Sequence, residues 1–253
     1  NLKWTHTMIK ETMSAHGKID QTYGRKRKKI GLGVYPLDNI AFPVRYYGEK
    51  QDKIRFVPLG STAPMTAEEI KKKHPKGKEN ADITKGWELF PIFKDKKGKI
   101  MSLIPFINSR EMGEVTEKTR NVFIEVTGTH FQSVMDVLNI VTTSLAERGG
   151  DIYSVTMVYG KKKIETPNRS MKKNILNVDN VNKSLGLTLD ANTVRALLRK
   201  MMYECKAIGK GKLEVSVPAF RTDILHELDL IDDVGRAYGF DRLVPESPST
   251  HAI

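Results

Sequence analysis

The chain has 253 residues, 39% of them hydrophobic and 28% charged, with a formal net charge of +12 at pH 7. That length suits one large domain or two ordinary ones, and no apolar run approaches the roughly 18 residues of a membrane span. A single cysteine, Cys205, excludes an intrachain disulfide framework and a cysteine-rich zinc site. The opening "NLKWTHTMIKETM" lacks the basic start and apolar block of a signal peptide, and the lone cysteine makes a reducing, cytosolic setting the simplest reading. A pI of about 9.6 fits a polyanionic partner or a lysine-rich solvated surface.

In chain order, the first half reads as strands and hairpins. The run "YGRKRKKIG" places Arg25, Lys26, Arg27, Lys28 and Lys29 side by side. Such a mutually repelling cluster favours the phosphate reading and marks a candidate RNA contact. "IGLGVYPL" is a β-rich run, and "VRYYGEKQDKIRFVPL" gives two strands around a polar turn. "TAEEIKKKHPKG" predicts a short helix with Thr66 and Glu69 as a capping box, stopped by Pro75. "FPIFKDKKGKIMSL" predicts a hairpin turning at Asp95 to Gly98.

In "NVFIEVTGT", Val122, Ile124 and Val126 alternate with Phe123, Glu125 and Thr127, so a strand buries the first set and presents the second. An exposed-face Glu125 would carry little core packing. Thr127 before Gly128 also suits a turn, and Ser102 in "IMSLIPFINS" also suits a buried hydroxyl. Phe131, Val134, Leu138, Val141 and Leu145 then recur at helical spacing, and Gly149 and Gly150 end that helix. His130 has no sequence-evident serine partner, so no nucleophilic triad is legible. "IYSVTMVYGKKKIE" returns as two strands.

The polar linker "ETPNRSMKK" divides a domain of residues 1–165 from one of residues 166–253. The second reads as a strand, a helix closed by Gly186, a helix capped by Asp190, a two-stranded wing and a final helix from about His226 to Tyr238, in the manner of a winged helix. The whole is a mixed α/β (α+β) chain. On the last helix Leu228, Ile231, Val234 and Tyr238 form the expected buried stripe, leaving Asp229, Asp232 and Asp233 on the exposed side with Asp223 just ahead. Acids at a helix start are favoured by its dipole, and Asp232 can pair with Arg236; a hard divalent cation is the other reading.

"VPAFRTDILHELDLIDDVGRAYGFDRL" resembles the segment closing the winged-helix-like module in the beta-subunit family of phenylalanine–tRNA ligase. "DQTYGRKRKKIGLGVYPLDNI", "MSLIPFINS", "TRNVFIEVTGTHF" and "LAERGGDIYSV" resemble the editing module of its archaeal and eukaryotic type. The resemblance implies a magnesium ion shared with an alpha subunit at Asp223, Asp229, Asp232 and Asp233. The last two stand where many members have glutamates. It also implies hydrolysis of tyrosine misattached to the phenylalanine tRNA, with Phe93, Ser102, Asn108, Glu125 and Thr127 lining the pocket. Aspartate often stands at the Glu125 position in archaeal members.

The resemblance further implies more chain on both sides, a cytoplasmic assembly of two alpha and two beta subunits, and activation chemistry using ATP on alpha rather than here. Rival readings are a non-catalytic RNA-binding module and a magnesium phosphotransferase or nuclease. The latter would want a phosphate-cradling glycine loop or a second acidic cluster, and "GLG" at Gly31 to Gly33 is too short for one.

Overall fold

The computed structural model describes residues 2–244, and the chain divides into two compact units, residues 1–167 and 168–253. The first opens with α1 (His6–Gln21), capped by Thr5, whose hydroxyl accepts from the Met8 amide at 3.1 Å. This helix is absent from the strand-rich reading of the sequence. Met8 and Asp20 are its buried residues, so the apolar periodicity that announces a helix is weak.

There follow β1 (Ile30–Pro36), β2 (Arg45–Lys50), β3 (Arg55–Phe56), β4 (Met65–Thr66), α2 (Ala67–Lys73) and α3 (Pro75–Glu79). The Thr66/Glu69 capping box forms, and Pro75 ends α2 by starting α3. β5 (Leu89–Lys94) and β6 (Ile100–Leu103) make the expected hairpin, followed by β7 (Ile107–Asn108) and α4 (Arg110–Gly113). β2 and β3, read around one polar turn, do not pair with each other. β2 lies on β5, and β3 pairs with β4.

β8 (Val122–Gly128) pairs antiparallel with β1, and α5 (Phe131–Ala146) follows it. Of the predicted α5 stripe Val141 and Leu145 are buried and Phe131 is solvent-exposed, while Met135 and Val137 are buried as well. One face of the β1–β8 ribbon packs Leu32, Ile124 and Val126 against Met8, Val137, Val141, Leu145, Leu2 and Trp4. The other packs Tyr35 and Phe123 with Phe93, Met101 and Met112, from the sheet ordered β2-β5-β6-β7 and from α4. Both faces of β8 are therefore covered, so its polar positions cannot face water. β9 (Val155–Tyr159) and β10 (Lys162–Thr166) form a further hairpin.

The second unit contains β11 (Lys172–Asn177), α6 (Val178–Leu185), α7 (Ala191–Lys200), β12 (Glu204–Gly209), β13 (Lys212–Val217) and α8 (Glu227–Tyr238). Gly186 closes α6 in the left-handed conformation, and Asp190 caps α7 through the Thr193 amide at 2.7 Å. β13 is central in the sheet β11-β13-β12. Its inward Leu213, Val215 and Val217 join Val181, Val194, Leu198, Leu230, Ile231 and Val234 in one core. Leu228, assigned to the buried stripe, is 67% exposed and Leu230 takes its place.

Candidate functional site

Antiparallel register sets Glu125 opposite Gly33 and Thr127 opposite Gly31, and directly opposed residues share one face of a ribbon. On that face the side-chain space beside the carboxyl and hydroxyl is left open by two glycines. A Cβ on Gly31 would meet the Thr127 Oγ1 at 3.5 Å, an ordinary contact. A Cβ on Gly33 would fall 2.6 Å from the Tyr35 hydroxyl. Glycine at 33 is thus what lets the Tyr35 ring lie back along its own strand. Gly33→Ala should displace this fully buried ring and destabilise the chain by about 1–3 kcal/mol, measured by chemical denaturation.

The neighbouring sheet supplies a second row. Tyr46 pairs with Phe93, Phe93 with Ser102, and Ser102 with Asn108, across β2, β5, β6 and β7. The Tyr35 hydroxyl donates to Asn108 Oδ1 at 3.1 Å and joins the two sheets. The Ser102 hydroxyl lies beside this phenol with no hydrogen-bond partner of its own. The structure thus gathers Ser102, Asn108 and Glu125 around Tyr35. Thr127 lies along the same ribbon face, and Phe93 packs in the same cluster.

Glu125 and Thr127 are only 5% and 7% exposed, correcting the open-face expectation. Glu125 Oε2 and Thr127 Oγ1, like Ser102 Oγ, are buried without partners. Burial pushes the Glu125 pKa up to about 8, opposed by the Arg27 guanidinium. At pH 7 the acid is mainly protonated, and so can donate as well as accept a hydrogen bond. Burial first and Glu125 second hold the Tyr35 phenol well above its usual range.

The basic run does not act as one patch. Arg25, Lys26 and Arg27 all adopt positive φ, a conformation non-glycine residues seldom take. Arg27 turns inward, donating from Nε to Asp20 at 2.7 Å and from Nη1 to the Pro105 and Phe106 carbonyls at 3.0 and 3.1 Å. It is a strut rather than a free cation, whereas Arg25, Lys26 and Lys28 are exposed. The Lys29 ammonium sits 4.5 Å from the Tyr23 ring centroid. His130 does meet a serine, Ser133 Oγ at 2.8 Å, while its Nδ1 caps α5 through the Ser133 amide.

Tyr35, Gly31, Gly33 and Arg27 are the site residues that sequence reasoning missed or misassigned. Period-two alternation along "IGLGVYP" carried a signal, because it sets both glycines and Tyr35 on one face. A shallow surface cleft bordered by Pro36, Asn39, Val57, Arg110 and Thr116 contains none of the candidate residues.

In the second unit the four aspartates have separate employments. Asp229 accepts from the Leu225 and His226 amides at 2.7 Å each, which holds its pKa below the usual range. Asp232 pairs with Arg236 at 2.8 Å. Asp223 receives a two-pronged bond from Arg221, and the same guanidinium reaches Asp233 at 2.7 Å. Asp233 is 3% exposed rather than on the open side, and also accepts from the Tyr203 hydroxyl. Its place at i+3 from Leu230 turns it toward the core. Among the described residues no three acids, histidines or cysteines are placed to hold a metal ion. Arg221 already bonds two of the four carboxylates, so Asp223 and Asp233 would have to give up that guanidinium to hold a magnesium ion, with an alpha subunit supplying further ligands.

A family model described as the tRNA synthetase B5 domain matches residues 175–240. The chain is 40% identical over 247 residues to the phenylalanine–tRNA ligase beta subunit of Thermococcus gammatolerans, covering 98% of this chain and 43% of that protein. It is 39% identical to the one from Methanocella arvoryzae, covering 46% of it. A crystal structure of an N-terminal fragment of the Pyrococcus horikoshii phenylalanyl-tRNA synthetase beta subunit superposes with a TM-score of 0.90 at 39% identity. That match covers 94% of this chain and 68% of the other. The chain belongs to the phenylalanine–tRNA ligase beta-subunit family. It spans less than half the length of these curated relatives.

Proposed function

We propose that the first unit hydrolyses the ester of tyrosine wrongly joined to the phenylalanine tRNA, within a ligase that attaches phenylalanine to that tRNA. The observation that carries this reading is the set of three unpartnered buried polar atoms, on Ser102, Glu125 and Thr127. Buried donors and acceptors without partners favour a ligand that brings its own hydroxyl. Tyrosine brings a phenol where phenylalanine has only a ring edge. A pocket built to bond that hydroxyl can reject the analogue lacking it by about 10⁴-fold or more. Phe93 supplies apolar wall, and Asn108 holds Tyr35 in place.

Hydrolysis then falls to a positioned water, with the terminal hydroxyl of the tRNA within the same chemistry's reach. Assembly with an alpha subunit, in pairs of each, would supply ATP-dependent activation of phenylalanine in the cytoplasm. The test is deacylation of tyrosyl- and phenylalanyl-tRNA by the chain, with tyrosyl-tRNA cleaved much faster. No hydrolysis, or equal rates on both esters, would overturn the reading and leave a non-catalytic RNA-binding module.

A further inference from the structure

The side chain of Arg27 joins parts of the first unit that lie far apart in the chain. Its Nε bonds Asp20 on α1, whose side chain is 8% exposed, and its backbone amide donates to the Asp20 carbonyl at 3.3 Å. Its Nη1 bonds the carbonyls of Pro105 and Phe106, in the turn between β6 and β7. That turn closes the hairpin in which Ser102 stands opposite Asn108, and Phe106 within it is fully buried. On its other side the basic turn runs straight into β1. The Lys29 carbonyl accepts from the Thr129 amide at 3.1 Å, and Ile30 pairs with Gly128. β1 then sets Gly31 beside Thr127 and Gly33 beside Glu125. Arg27 is therefore bonded to one half of the polar cluster and built into the turn that enters the other half.

Three consecutive non-glycine residues, Arg25, Lys26 and Arg27, hold φ at 49°, 55° and 63°. Such backbone is costly away from glycine and persists where surrounding contacts over-determine it, often beside functional sites. Here it delivers the Arg27 fork to acceptors on two sides at once, a task suited to a planar set of donors. We propose that Arg27 is a positioning residue for ester hydrolysis, fixing the Ser102–Asn108 hairpin at the distance from Glu125 and Thr127 that lets all four meet one tyrosyl group. It acts through the hairpin and touches no reacting atom. A misplacement of about 1 Å between reacting groups can cost about a hundredfold in rate. The ester's identity rests on the editing reading, whereas the strut itself does not.

The test measures kcat and KM for deacylation of tyrosyl-tRNA by the 253-residue chain and by its Arg27→Ala and Arg27→Lys variants, each checked for folding by circular dichroism. Both variants should lower kcat by about tenfold to a hundredfold and leave KM within about threefold. The lysine result carries the distinction. An ammonium keeps the charge but lacks the fork, so a strut is lost in both variants, whereas a phosphate contact is lost in alanine and largely restored in lysine. Asp20→Ala should reproduce the fall in kcat, and adding it to Arg27→Ala should slow the chain no further, since both remove one connection. A raised KM at parent kcat in Arg27→Ala, with rescue by Arg27→Lys, would overturn the proposal. So would parent kcat in a folded Arg27→Lys chain, which decides the matter if the alanine variant does not fold. A parent that cleaves no tyrosyl ester sinks the editing reading instead. The strut is then read by hydrogen exchange: Arg27→Lys should lose protection across residues 100–110, and unchanged protection there would overturn it.

Discussion

Glu125→Ala should lower the preference for tyrosyl over phenylalanyl ester by roughly fivefold to a hundredfold, the range expected when the phenol is left buried without its partner at a cost of about 1–3 kcal/mol. The buried carboxyl carries a second consequence for stability. Its pKa is about 8 in the folded chain against an ordinary 4.5. The folded state therefore holds a proton that the unfolded chain releases, and stability falls as pH rises across that window. The shift corresponds to at most about 5 kcal/mol between protonation states. Glu125→Gln keeps the shape and removes the titration, so its denaturation midpoint should be flat where the parent's declines. Thr127→Val keeps volume and removes one hydroxyl, so it should reduce selectivity less than Glu125→Ala. Unchanged tyrosine preference in a folded Glu125→Ala chain would assign the phenol to another residue. A parent midpoint that does not decline from about pH 5 to about pH 8 would contradict the buried acid.

Asp233→Ala should destabilise the second unit more than Asp232→Ala on the same helix. The Asp233 side chain is 4% exposed and that of Arg221 19% exposed. Removing the carboxylate leaves the Tyr203 hydroxyl without its acceptor and Arg221 held by Asp223 alone. Leaving a buried hydroxyl without its partner costs about 1–3 kcal/mol. For a unit of this size each kcal/mol lowers the melting temperature by about 4–8 °C. Asp232→Ala is the internal control, since its exposed i,i+4 partnership with Arg236 is worth only about 0.3–0.5 kcal/mol. Equal melting temperatures for the two variants would show that the Arg221–Asp233–Tyr203 connection is not holding the unit together.

Much of the second unit was legible because its signals are local. Asp190 announces α7, Gly186 ends α6, and the "AIGKGKLEV" turn gives the wing. Side-chain direction within those elements was less so. Apolar spacing phases the α8 stripe on Leu228, but the helix is set by Leu230, Ile231 and Val234, which turns Asp233 inward. Glu125 failed for a related reason. Alternation sorts residues into two faces correctly but does not tell which face meets water, and here a second sheet covers the polar one. α1 left little trace because a mostly polar helix lacks an apolar repeat. The chemistry-bearing residues Ser102, Asn108, Glu125 and Thr127 came from family resemblance. Their clustering depends on pairings between distant strands that no window of sequence displays.

The two glycines of β1 separate selection for folding from selection for activity. At position 33 both demands act together, since any side chain strikes Tyr35. At position 31 an added methyl finds only an ordinary contact with Thr127, so the fold has little reason to refuse alanine there. A library screened for soluble expression should accept Gly31→Ala, while the same library screened for tyrosine clearance should reject that change if a substrate has to use the space.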